Sequence, residues 1–262
     1  MGCDRGGMKN TNWHYDTAKD SGLSLVDRLK ECPREPDPLV YAARITAALA
    51  IRAALRIYNR FEIVGREHLP REGSFVLVAN HASHLDAVAL LSALPLRSLH
   101  RAYPLAARDY FCANSLRLGL TAIIANVMLL DRDATGLQAL KLCQQMLEER
   151  GNVLVMFPEG TRSIDGRVGM FRRGVGLLLA GTPCPVVPCY LDGTFRAWPK
   201  GALIPRPTRV RLVIGEPRTY EQVERTDEGA LHICADLRGA VLALASRTRP
   251  QPARPISQEA YQ

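Results

Sequence analysis

Five short apolar runs, separated by longer segments with helical periodicity, constrain this chain more than any other feature of its sequence. The runs fall at residues 75–79, 127–130, 153–157, 186–191 and 210–214, and the helical stretches at 85–94, 113–120, 134–150 and 230–245. The middle runs are apolar at nearly every position, as strands buried on both faces are. Strands joined by helices of this length imply crossover connections, so the expected architecture is α/β, a largely parallel or mixed sheet flanked by helices. With 262 residues, 47% hydrophobic and 23% charged, the chain has the balance of a globular protein that can bury one sizeable core.

The segment before the first run behaves differently. Residues 1–37 mix charge, glycine and proline and end in Cys32-Pro33-Arg34-Glu35-Pro36-Asp37-Pro38, which reads as a flexible leader and a stop before a helix. Residues 39–60 are alanine-rich and helix-forming, but Arg44, Arg52, Arg56 and Arg60 break them up, so no apolar stretch of about 20 residues exists to span a bilayer. On a helical wheel the four arginines fall within about 160°. Two readings fit: a basic amphipathic helix lying in a membrane interface, or a helix docked on its own domain with its arginines in water. The expected organisation is a leader (1–37), an amphipathic membrane-seating helix (38–60), the main domain (61–245) and a disordered tail (246–262) containing Pro250, Pro252 and Pro255.

Compartment follows from what the ends and the cysteines look like. Residues 1–19 are polar and glycine-rich, with no secretory apolar region, and Gly6 stands where a myristoylation motif needs Ser or Thr. The seven cysteines (Cys3, Cys32, Cys112, Cys143, Cys184, Cys189 and Cys234) are scattered, with no C-x-x-C pair, which argues against a disulfide framework or a zinc site and for a reducing cytosol. The expectation is a cytoplasmic protein peripherally associated with the inner face of a membrane. A formal charge of +8 favours anionic partners without choosing among them.

Two constellations carry chemistry. Asn80-His81-Ala82-Ser83-His84-Leu85-Asp86 follows the run at 75–79 and opens a helix, and the carboxyl end of a strand is where α/β proteins place reactive groups. His81 and Asp86 would lie about 140° apart on a regular helix, so they meet only if His81 sits in the preceding turn. An imidazole held by a carboxylate has a fixed tautomer and a stabilised imidazolium, which suits a general base acting on an alcohol. Phe157-Pro158-Glu159-Gly160-Thr161-Arg162-Ser163 follows the run at 153–157, and its turn offers amides, a hydroxyl and a guanidinium to a phosphate oxyanion. Glu159 cannot itself attract an anion, so its expected work is to hold Arg162 or position the loop.

Together and in this order, the two motifs resemble those of the glycerolipid acyltransferase family, bacterial lysophosphatidate acyltransferases in particular. The likeness extends through Leu129-Leu130-Asp131-Arg132, Phe171-Arg172-Arg173-Gly174 and Val187-Pro188, covering residues 60–215, while residues 39–60 resemble the family's membrane-seating region. The resemblance implies that His81 deprotonates the acceptor hydroxyl, that Asp86 orients His81, and that the alkoxide attacks the thioester of acyl-CoA or acyl carrier protein without an acyl-enzyme. It also implies that Arg132, Gly160, Thr161 and Arg162 hold the acceptor phosphate while Glu159 organises the loop. No metal or resident cofactor is implied, and oligomeric state stays open. Ser83 and His84 have no matched role. One departure concerns the family's phosphate-binding lysine, whose place falls in Ala106-Ala107-Arg108-Asp109-Tyr110, so another lyso-lipid head group or lipid alcohol remains an alternative acceptor.

Two other classes compete. A serine hydrolase would use Ser83 beside two histidines, but the chain has no G-x-S-x-G elbow. A nucleic-acid-binding module fits the charge, yet the basic residues are spread and aromatics make up only 6%, so no nucleic-acid partner is expected.

Overall fold

The computed structural model describes residues 38–107, 127–130, 136–202 and 204–248. Seven strands form one sheet: β1 (Glu62–Val64), β2 (Phe75–Ala79), β3 (Ala102–Ala107), β4 (Met128–Leu130), β5 (Val153–Met156), β6 (Val186–Asp192) and β7 (Arg211–Ile214). Their order is β1-β7-β6-β2-β5-β3-β4, and every neighbouring pair is parallel except β6–β7. The helices are α1 (Pro38–Tyr58), α2 (Leu85–Ala93), α3 (Gly136–Glu148), α4 (Arg173–Leu179), α5 (Thr194–Ala197) and α6 (Asp227–Thr248).

Helices cover both faces of the sheet, which is why the central strands are apolar throughout. Phe75, Leu77 and Ala79 of β2, with Val153 and Val155 of β5, pack toward Ala89, Leu90 and Leu94 around α2. Val76, Val78 and Leu154 turn to the opposite face and meet Met146 of α3, Leu178 and Leu179 of α4, and Ile233, Leu237 and Val241 of α6. Cys143, Cys189 and Cys234 are buried among these side chains and Cys184 is half-buried. Among the described residues α6 is the one helix long and apolar enough to cross a membrane, but its buried stripe belongs to this core.

The sequence reading misses two strands and two helices. β1 is a three-residue edge strand with only partial burial, and β3 contains Pro104, so neither shows the buried apolar pattern. α4 carries Gly174 and Gly176, poor helix formers, and α5 is a single turn. At the other end α6 runs through Ser246, Arg247 and Thr248, so these three residues belong to a helix and not to the tail. The expected helix at 113–120 lies outside the described residues.

The larger correction concerns α1. Arg44 is only 5% exposed, and the half-buried Arg52 donates from its guanidinium to the Leu94 carbonyl, so these two arginines point into the protein. Leu55 is buried with Leu85 and Val210, and Ile45 and Ala48 pack on the core. The outward face is instead apolar: Leu39, Ala42, Ala43, Leu49, Ala50, Ala53, Ala54 and Ile57 are exposed, Leu39 and Ile57 at 81% and 82%. The arginine sector is thus split, with Arg44 and Arg52 turned inward and Arg56 and Arg60 exposed, because a guanidinium can reach a buried carbonyl while alanine and leucine face outward.

Gly176 lets α4 approach α6 backbone to backbone, since a Cβ there would lie 2.1 Å from the Ala230 carbonyl oxygen. Gly176→Ala is therefore expected to lower the unfolding free energy by about 1–3 kcal/mol or more, read as a lower urea midpoint. An unchanged midpoint would mean that the two helices part at no cost.

Candidate active site

β2 and β5 are parallel neighbours in register up to Val78–Met156, so the two motif loops leave the sheet side by side at one edge. β6 flanks β2 on its other side and ends at the same edge, followed by Gly193, α5 and Trp198. Asn80 seals the junction: its side-chain Nδ2 donates to the Leu191 carbonyl at 3.1 Å and its Oδ1 accepts the Leu191 amide at 2.8 Å.

His81 sits in the turn before α2, where it and Asp86 meet. Its Nδ1 lies 2.9 Å from Asp86 Oδ2, and that same oxygen accepts the amides of Ala82 at 2.6 Å and Ser83 at 2.7 Å. Asp86 is fully buried, so its charge depends on these partners, and the partners in turn fix the turn that carries His81. With Nδ1–H donated to the carboxylate, the neutral ring keeps its lone pair on Nε2, which becomes the basic edge. One face of the ring is covered by Phe157, stacked at 4.1 Å between centroids and 19° from parallel.

The second motif grips the first through its main chain. Glu159 Oε1 accepts the His81 amide at 2.9 Å, its Oε2 accepts the Gly169 amide at 3.1 Å, and the Ser163 amide donates to the His81 carbonyl at 2.7 Å. Burial raises the Glu159 carboxyl above its ordinary pKa, against the downward pull of those two amides. Gly160 takes a left-handed conformation (φ 70) at an exposed turn, with Thr161 exposed beside it. Arg162 Nη1 lies 2.5 Å from His84 Nε2, and the His84 ring is tilted against Trp198.

Of the residues singled out in the sequence, His81, Asp86 and Glu159 are in direct contact, and Gly160, Thr161 and Arg162 continue the same loop. Arg132 and Arg108 lie outside the described residues, although β4 and β3 end at this edge at Leu130 and Ala107. Sequence reasoning gave His84 and Phe157 no role. Nothing in local spacing marks either one, because both act across the gap between two loops. The hydrolase reading fails at Ser83, which is buried, donates from Oγ to the Trp198 carbonyl at 2.7 Å and accepts the Leu85 amide. Such a hydroxyl is committed to the turn and is no nucleophile. Among the described residues no three His, Cys, Asp or Glu side chains converge as a metal set.

The acyltransferase family model matches residues 60–192, about half of the chain and both motif loops. The chain belongs to the acyltransferase family. Within this family, a 1-acyl-sn-glycerol-3-phosphate acyltransferase of Limnanthes alba is 32% identical over 157 residues, 58% of this chain and 52% of that protein. The human 1-acyl-sn-glycerol-3-phosphate acyltransferase alpha is 34% identical over 135 residues, 51% of this chain and 46% of that protein. The chain thus spans about half the length of the curated relatives it matches. The crystal structure of the 1-acyl-sn-glycerophosphate acyltransferase PlsC from Thermotoga maritima shares the fold, with a TM-score of 0.61 at 20% identity, covering 87% of this chain and 88% of that one.

Because Asp86 Oδ2 gathers three donors, Asp86→Ala should destabilise the protein by about 2–4 kcal/mol in urea unfolding. His81→Ala removes one hydrogen bond and a ring stack from a part-exposed site and should cost less than half as much. Equal losses would show that Asp86 serves the histidine alone.

Proposed function

We propose that this protein is an O-acyltransferase of the 1-acylglycerol-3-phosphate type. It transfers a fatty acyl group from acyl-CoA or acyl carrier protein to the hydroxyl of a lysophosphatidate and yields phosphatidic acid. The observation that carries this reading is the His81–Asp86 pair, with Nε2 left as the base, in a motif turn held by Glu159 of the second motif. The similarity to 1-acyl-sn-glycerol-3-phosphate acyltransferases supports the substrate class.

In the proposed reaction His81 Nε2 takes the proton of the acceptor hydroxyl as its oxygen bonds to the thioester carbon. Asp86 stabilises the imidazolium that forms. The tetrahedral intermediate collapses, the carbon–sulfur bond breaks, and the leaving thiolate takes the proton back from His81. Gly160, Thr161, Arg162 and Arg132 hold the phosphate of the acceptor, and Glu159 keeps their loop against His81. The thioester is a co-substrate, and no resident cofactor takes part. A lyso-lipid with another head group is the second reading, favoured by the lack of a lysine in residues 106–110.

Incubating the protein with labelled acyl thioesters and a panel of lyso-lipids, with products identified by mass, tests the assignment. His81→Ala should lower turnover by about 100-fold or more while its circular dichroism stays that of the wild type. Near-normal turnover in that folded variant would remove His81 as the base. Asp86→Asn should lower kcat and leave acceptor KM near the wild-type value, because the amide no longer stabilises the imidazolium.

The same proposal seats the protein peripherally on the inner face of a membrane through the apolar outer face of α1, with Arg56 and Arg60 toward anionic head groups. Leu49→Glu with Ile57→Glu should weaken binding to anionic vesicles by about tenfold or more, since each side chain contributes roughly 1.5–3 kcal/mol when buried. Vesicle binding equal to wild type would leave that face without a membrane role.

A further inference from the structure

A second guanidinium besides that of Arg162 lies against the turn at Gly160, that of Arg172. After the turn at Gly160 the chain loops out and returns at Arg172, whose amide donates to the Pro158 carbonyl at 2.9 Å. The Arg172 side chain then folds back over the turn, and its Nε donates to the Glu159 carbonyl at 3.2 Å. It lies so close to Gly160 that a Cβ there would stand 2.7 Å from Nε and 2.9 Å from both Cδ and Cζ. Glycine at 160 therefore makes room for an arginine as well as for a left-handed turn.

The charge on this arginine is not spent within the protein. Several arginines pair with carboxylates, Arg167 with Asp165, Arg173 with Asp227, Arg209 and Arg211 with Glu62, and Arg218 with Asp236, but Arg172 is not among them. Arg172 is anchored only at Nε, and its Nη1 and Nη2 have no acceptor among the described residues. Glu159 does not neutralise it, because both carboxylate oxygens turn inward to the amides of His81 and Gly169. An anchored guanidinium has already lost much of its rotamer freedom, so its two terminal nitrogens are preset for a bidentate anion.

We infer that Arg172 is a phosphate-binding residue of this site, presenting Nη1 and Nη2 to a substrate phosphate beside Gly160 and Thr161. The inference rests on the acyltransferase reading for the source of the phosphate, which is the acceptor's phosphomonoester or the nucleotide phosphates of acyl-CoA. It does not rest on that reading for the existence of the anion site.

The test uses the full chain with Arg172→Gln and Arg172→Lys, each checked for folding by circular dichroism and thermal midpoint. With lysophosphatidate as acceptor, Arg172→Gln should raise acceptor KM by about tenfold or more and leave kcat within about twofold, with Arg172→Lys intermediate. The KM for a monoacylglycerol acceptor, which lacks the phosphate, should not change. A rise in donor KM with acyl-CoA but not with acyl-pantetheine would place the phosphate on the donor and still support the site. Calorimetric titration with glycerol 3-phosphate, without any donor, separates the two claims. Binding by the wild type that is lost in Arg172→Gln supports the site even if no acyl transfer occurs. Glycerol 3-phosphate binding equal in wild type and both folded variants together with an unchanged acyl-CoA KM, or KM values that shift alike with and without phosphate, would overturn it.

Discussion

A carboxylate sealed from solvent at the start of α2 governs the geometry of this protein's functional edge. Asp86 has no exposed surface, and a dry charge persists only where donors converge on it. One of its oxygens collects the amides of two consecutive residues and the ring nitrogen of His81. The same electrostatic requirement thus shapes the turn before the helix and holds the imidazole. Structure and reactivity are hard to separate here, because the group that would tune the base is also the group around which the main chain is wound.

The pairing of two distant sequence motifs follows from sheet order. β2 and β5 are far apart along the chain but adjacent and parallel in the sheet, and parallel neighbours deliver their following loops to a common edge. Glu159 and Ser163 then fasten the second loop to the amide and carbonyl of His81, and Phe157 lies flat on its ring. The histidine is consequently located by four neighbours that touch different parts of it, which leaves Nε2 as the ring nitrogen outside these contacts.

What could be read from the sequence was what is encoded locally. β2, β5 and β6 are buried on both faces and announce themselves as apolar runs, and His81 and Asp86 are close enough in sequence for a turn geometry to be argued. β1 at the sheet edge and the proline-bearing β3 carry no such signature. The contacts of Glu159, the bond between Arg162 and His84 and the folding back of Arg172 over Gly160 depend on tertiary approach and could not be inferred from spacing. α1 shows the limit most clearly. Its residues predicted a helix with two unlike sides, but tertiary contacts at Arg44, Ile45, Arg52 and Leu55 set which side faces inward, and Arg56 and Arg60 stay outside.

Asn80 shows how a sheet can end without coming undone. Beyond the last main-chain pair, Ala79 with Cys189, its carboxamide takes up both the amide and the carbonyl of Leu191. A side chain here imitates a peptide unit, so the ladder between β2 and β6 gains one more rung than its backbone supplies. The main chain is released from pairing one residue early and is at liberty to bend. The borrowed rung holds the strand end, and the curve that presents His81 begins on a seam that stays closed.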